Sequence, residues 1–463
     1  MPAIITKDFR VHNAKQFEES FGETADTYYL AIGRPQAFAD NQAFNDGTDS
    51  SPPTPVDSVG SVEYYAYDDF LSAKKITSSD VSLVIPRRNW TTGTVYDYYR
   101  HDYGDINSAG SVISSDSGAT SLYDATFYVM NSTFDVYKVI DNNSGGASTV
   151  EPSGNKSTSV FSTGDSYKWK YMYSLSASEQ ANFLSTDFMH VSTESSDFST
   201  TGGAIEHVKI TAGGSGGTNG TYTGVDIRGD GSSGKATIVV ASNAVSSVTI
   251  TTAGSGYTYA SVKASDFGSV SGADIDFIIS PPDGHAKDCV TELGGFFVMT
   301  NVDLTQADGS GDFSTGNDFR RIALLRNPTD STTGSTASAT TLDATKSITF
   351  SGTPGSFQAD EKITQATTGA VGFVVDFNST TKVLRYVQPQ FADQGVDSDG
   401  NLTAFASTHT VTGATSSATG TPSSHDTTPE LTHDTGDILY IENRKPISRA
   451  ADQTDNVKLI VEF

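Results

Sequence analysis

Apolar residues along this chain come in short bursts, not in long helical stretches. Tyr28-Tyr-Leu-Ala-Ile32 is one such burst, closed by Gly33, and it predicts a buried strand. Val81 to Pro86, Phe127 to Met130, Val136 to Ile140 and Tyr167 to Leu175 predict further strands, the middle two as a pair. Phe319 to Leu325 predicts a core strand. Near the C-terminus, Ile438 to Ile441 reads as a short buried strand and Glu442 to Pro446 as a polar corner, where Pro446 biases Lys445 to extended geometry. Val457, Leu459, Val461 and Phe463 alternate onto one face of a final strand. Helices are few. Asn13 is placed to cap a short helix that carries Phe17 and Phe21 on one face and stops at Gly22. A second helix is expected over Asp68 to Lys75. Ser176-Ala-Ser-Glu179 has capping-box spacing and predicts a third, through Leu184. Residues 51–57, with three prolines, read as a stiff extended connector.

The pattern changes near Thr201. Residues 201–283 are dominated by Gly, Ser, Thr and Val, and they repeat: Val208-Lys-Ile-Thr-Ala-Gly-Gly-Ser-Gly matches Val248-Thr-Ile-Thr-Thr-Ala-Gly-Ser-Gly. Each copy predicts a strand running into a glycine turn. Residues 330–430 form a similar block. There Ile363 to Gly372 resembles Val411 to Gly420, and Gly372 to Phe377 and Lys382 to Val387 read as strands joined by a polar turn. Two copies are too few for a solenoid, which needs about three or more. The expected architecture is mainly β: a discontinuous β-sandwich core with a few short helices, interrupted by two small inserted β-domains. The core would take 1–200, 284–329 and 431–463, and the insertions 201–283 and 330–430. Exposed loops tolerate such insertions.

Composition narrows the function. The formal charge is −26 over 463 residues, which repels phosphate backbones and anionic lipid. Nucleic acid is therefore not an expected partner, and no apolar run approaches a membrane span. No secretion signal opens the sequence, so synthesis in a reducing cytoplasm is expected. The single cysteine, Cys289, excludes an internal disulfide and a cysteine zinc site, and reads as a buried structural thiol. No two of the eight histidines have the spacing of a zinc helix. The Gly213 and Gly231 runs lack the strand–loop–helix setting of a phosphate loop, and Asp397-Ser-Asp399-Gly-Asn401 lacks the distal Glu of a calcium loop, so all three are turns. Arg228-Gly-Asp230 is a chance tripeptide. The 55 acidic residues single out no catalytic pair. No catalytic, cofactor or metal residues are assigned, and no enzyme activity is expected.

Five segments are less generic: Ala31 to Pro35, Ser51 to Val59, Val84 to Trp90, Gly316 to Pro328, and Gly436 to Phe463. In composition and order they resemble the baseplate wedge protein of T-even-like contractile-tailed phages, the gene product eight family. The resemblance implies an all-β structural protein of the virion tail baseplate, made in the host cytoplasm. It also implies a homodimer that contacts other baseplate wedge proteins during assembly and the triggering of contraction. It does not extend to the two Gly/Ser/Thr-rich blocks. An alternative is a phage-borne carbohydrate-binding or depolymerising tail protein, with those blocks gripping a host-surface glycan. The residues expected to form core or interface contacts are Arg34, Arg87, Arg88, Trp90, Arg320, Arg321, Glu442, Asn443, Arg444, Pro446, Asp452 and Phe463. Arg87 and Arg88 are expected to pair with internal carboxylates, as are Arg320 and Arg321. Trp90 is expected to anchor a core, and Arg444 to pair with Glu442 or Asp452. The final strand is expected to close the core sheet or join the dimer interface.

Overall fold

The computed structural model describes residues 5–38, 47–56, 66–107, 110–156, 159–191, 201–304, 316–389, 395–397, 399, 401–448 and 454–463. It is mainly β, built from several antiparallel sheets. Among the described residues the α-helices are Lys7–Ser20, Ala177–Phe183 and Cys289–Leu293. The chain divides into two compact units: Met1–Phe17 with Ser82–Met299 and Ile460–Phe463, and Glu18–Val81 with Thr300–Leu459.

In the first unit the N-terminal helix begins earlier than the Asn13 cap requires. The Thr6 hydroxyl accepts from the Phe9 amide at 3.3 Å, and the Thr6 carbonyl from the Arg10 amide at 3.1 Å, so Thr6 starts the helix instead. Four strands form one sheet in the order Tyr128–Met130, Asp135–Asp141, Lys168–Ser174, Phe161–Ser162. Trp169 is fully buried in it, stacked on Tyr167 at 5.3 Å, and its ring N–H donates to the Thr163 hydroxyl at 3.0 Å. Val84 to Pro86 pairs with Phe188–His190. The predicted capping box is present, with Ser176 and Glu179 each bonded to the other's backbone. Cys289 is buried, and burial pushes its thiol up to about 12, which keeps it protonated and inert.

In the second unit five strands form a sheet in the order Thr341–Asp343, Phe70–Ile76, Tyr28–Gly33, Phe319–Arg326, Asp437–Ile447. The central Tyr28–Gly33 strand is buried at all six positions. Tyr29, Ala31, Ala73, Ala323 and Leu325 share one apolar cluster, against which Ile438 and Ile441 pack. Two expectations fail here. Phe70–Ile76 is a strand and not a helix, because it is paired on one side by Tyr28–Gly33 and on the other by Thr341–Asp343. Asp437–Ile447 is one long strand in place of a short buried strand and a corner; its polar residues are tolerated because it is the outer strand, with a single neighbouring strand among the described residues.

Each Gly/Ser/Thr-rich block has its own apolar cluster. One gathers residues from Ile205 to Ile279, the other from Ile348 to Ala418. In both, the sequence repeat appears as a local two-fold relation. The strands Lys362–Gln365 and Val411–Gly413 run antiparallel with Thr364 opposite Thr412, its own counterpart in the repeat. The hairpins they open also share a register, Ile363 with Gly372 and Val411 with Gly420. In the first block, the Ile205 amide donates to the Ala253 carbonyl at 2.9 Å and the Gly217 amide to the Asn243 carbonyl at 2.9 Å, so those repeats are antiparallel too. The repeat even preserves backbone conformation. Gly214 and Gly254 have φ of 69° and 63°, and Gly216 and Gly256 have 74° and 71°. These values lie in the left-handed region that glycine enters at no steric cost.

Buried Tyr257 ties the first block together. Its hydroxyl donates to the Ile227 carbonyl at 3.0 Å and accepts from the Gly234 amide at 3.0 Å. Replacing Tyr257 by Phe strands a buried carbonyl and a buried amide at once. A loss of about 1–3 kcal/mol is expected, read as a lower denaturant midpoint.

Candidate functional site

The predicted residues of the second unit converge on the outer half of its five-stranded sheet. Arg320 and Arg321 are consecutive on the Phe319–Arg326 strand, so their side chains leave opposite faces. Arg320, almost fully buried, grips Asp49 with two bonds of 2.9 Å, and also donates to the Pro35 carbonyl. Arg321 reaches the buried Asp69 carboxylate at 2.6 Å. Arg34, held at φ 59° just after Gly33, approaches the same carboxylate from the other side at 3.6 Å. The Arg321 Nε also donates to Asn443 at 3.1 Å, and the Asn443 amide donates onward to the Pro53 carbonyl at 3.1 Å. One partly buried network, centred on buried Asp69, thus joins the Gly33 turn, the proline-rich segment, the core strand and the outer strand.

Charge placement explains the electrostatics. The Arg320 side chain beside Asp49 holds that carboxyl below its ordinary value. Burial raises the Asp69 carboxyl, and Arg321 and Arg34 pull it back part of the way. On the outer strand, Arg444 pairs with Glu442 at 3.1 Å, and the Tyr440 hydroxyl donates to Glu442 at 2.9 Å. Burial first, then this bond to Glu442, pushes the Tyr440 hydroxyl up to about 12. Pro446 sits further along the same strand, where an absent N–H is tolerated at a sheet edge. Asp452 lies outside the described residues.

The other predicted residues lie in the first unit and do something different. Arg87 and Arg88 were expected to meet carboxylates. Arg87 instead donates to the Ser185 carbonyl at 2.8 Å and to Asn89 at 3.0 Å. Arg88 donates to the Ala125 and Tyr123 carbonyls and covers the Tyr128 ring at 4.6 Å. Both cations satisfy carbonyls that leave regular strands, a demand that counting acidic residues does not reveal. Trp90 is only half-buried, and its ring N–H donates to the Ser148 hydroxyl at 3.0 Å. Phe463 packs on Phe17 at 5.3 Å, and its amide donates to the Phe296 carbonyl at 3.0 Å.

Sequence reasoning found the arginines and missed Asp49 and Asp69. The available signal was the acidic pair Asp68-Asp69 set directly against the apolar Phe70-Leu71. Among the described residues, no group of three or more His, Cys, Asp or Glu side chains is arranged to hold a metal ion. Asp397 accepts from the Asp399 and Asn401 amides at 2.9 Å each, as a turn does. No helix of the described residues is long and apolar enough to cross a membrane. The geometry is that of a braced surface strand.

Asp49 gives a pH test. A carboxyl with a lowered folded pKa adds stability that is complete above its unfolded pKa of about 4 and is lost as pH falls through the folded value. Asp49→Asn is therefore expected to lower stability at pH 7 by on the order of 1–3 kcal/mol. The gap to wild type should shrink as acid protonates Asp49. Melting temperatures of both proteins across pH 7 to 2.5 check this.

Residues 3–145 match the family model described as Bacteriophage T4, Gp8. The match contains Arg34, Arg87, Arg88 and Trp90, and it ends before the Gly316 to Pro328 and Gly436 to Phe463 segments. No curated protein matches the chain.

Proposed function

We propose that this chain serves as a dimeric scaffold in the baseplate wedge of a contractile phage tail, linking other wedge proteins during assembly and during the triggering of contraction. The observation that carries the reading is the Gp8 match over residues 3–145, whose family is a structural baseplate component of the virion tail. The mainly β fold and the braced outer strand Asp437–Ile447 suit a protein that works through surfaces. The acidic surface suits partners other than nucleic acid. In this reading the blocks 201–283 and 330–430 are insertions into the scaffold, and synthesis takes place in the host cytoplasm.

The purified chain is expected to scatter light with the mass of a dimer. An electron cryo-microscopy map of the intact virion is expected to place it in the baseplate. A stable monomer at micromolar concentration would remove the dimeric scaffold, and density for the chain elsewhere in the virion would remove the wedge role.

A further inference from the structure

The Asp437–Ile447 strand is the outer strand of its sheet, and among the described residues no strand pairs with its free edge. An exposed strand of eleven residues is a template for another strand unless something blocks it. Leu439 is 43 % exposed and Tyr440 36 %, on a sheet whose central strand is wholly buried. Val56, at the end of the proline-rich segment, is 62 % exposed. An open groove of about 560 Å³ is lined by Pro52 and by Glu442 to Ile447.

The order of residues on this strand is self-complementary. From this we infer that Asp437–Ile447 is an isologous contact: it lies antiparallel to the same strand of a second copy, about a two-fold axis at Asn443. The inference rests on the dimeric reading above and names the surface that reading lacks. With the axis at Asn443, Glu442 of each copy faces Arg444 of the other, Tyr440 faces Pro446, and Leu439 faces Ile447. Acid meets base, and two apolar pairs form beside them, while Ile441 faces the aliphatic stem of Lys445; such cross-strand pairs stabilise an antiparallel contact. From Tyr440 to Asn443, where the pairing with Phe319–Arg326 is regular, side chains alternate between faces, so the axis moves in whole residues. Moved to residue 442, it sets Glu442 against Glu442; moved to residue 444, it sets Arg444 against Arg444. Opposite charges therefore select one register.

Two features exclude unrelated strands. Pro446 offers no N–H, and Lys445 places a charge on the edge, both of which discourage indiscriminate pairing. The pairing of this strand with Phe319–Arg326 also shifts register between Arg321 and Phe319, opposite Arg444 to Pro446. A partner must therefore match this edge in charge order, and a second copy read in reverse does so. Behind the edge, Arg321 and Pro53 hold Asn443 in place, so the surface is formed before the partner arrives.

Exchanging charges tests the inference. Glu442→Arg and Arg444→Glu each put like charges opposite one another, and each is expected to weaken self-association at least ten-fold while the far-UV circular dichroism spectrum stays that of the folded wild type. Mixed together, the two variants place two arginines of one copy opposite two glutamates of the other, and are expected to form a heterodimer. The double exchange E442R/R444E restores self-complementarity and is expected to dimerise as wild type does. Leu439→Asp, which leaves both charges in place, provides a second reading and is expected to weaken the dimer. Analytical ultracentrifugation with one variant labelled reads every case. A wild-type dimer whose affinity ignores all of these changes overturns the Asn443 axis and leaves the dimeric scaffold standing. A monomeric wild type overturns both.

Discussion

The buried Asp69 carboxylate is the constraint on which the second unit depends. It lies at the start of the Phe70–Ile76 strand, with Arg321 at 2.6 Å and Arg34 at 3.6 Å. Removing one partner of such a buried pair typically costs about 3–5 kcal/mol, because a charge is left buried without compensation. Arg321 then extends the network to Asn443, and Asn443 to Pro53. An outer strand, with one neighbouring strand among the described residues, thereby gains a polar anchor to the buried part of its own sheet. Arg320 repeats the device on the opposite face by fastening Asp49.

In the proposed dimer, this arrangement places stability and association on the same strand but on different side chains. Asn443 looks inward through its hydrogen bonds, whereas Tyr440, Glu442 and Arg444 form a mutually bonded row at the surface. That separation suits an assembly protein, whose contacts must be shaped before partners arrive. In the proposed scaffold, wedge contacts would then cost little ordering on binding.

Much of the fold was legible because burial writes itself into apolar runs. Tyr28–Gly33 and Phe319–Arg326 are inner strands; the first reads as a continuous apolar burst and the second as the apolar run Ile322 to Leu325 behind two arginines. The internal repeats were equally visible, since glycines at positive φ leave a fixed spacing. Phe70–Ile76 was misread because its pairing with Tyr28–Gly33 and Thr341–Asp343 overrides local preference. The length of Asp437–Ile447 was hidden because an outer strand tolerates Glu442-Asn-Arg-Lys445, which in isolation looks like a turn. The candidate site was half legible. Its arginines stood out in an acidic chain, but Asp69 lies 252 positions from Arg321, and no local pattern joins them.

In the proposed dimer, the Asp69–Arg321–Asn443 network holds the outer strand in the form that associates. Hydrogen exchange on the Arg321→Met variant tests it most directly. The account predicts that amides of Asp437–Ile447 lose protection, while Lys346–Phe350 and Ala370–Asn378 in the seven-stranded sheet keep theirs. Unchanged protection across Asp437–Ile447, in a variant that has lost the Arg321 contacts, would contradict it.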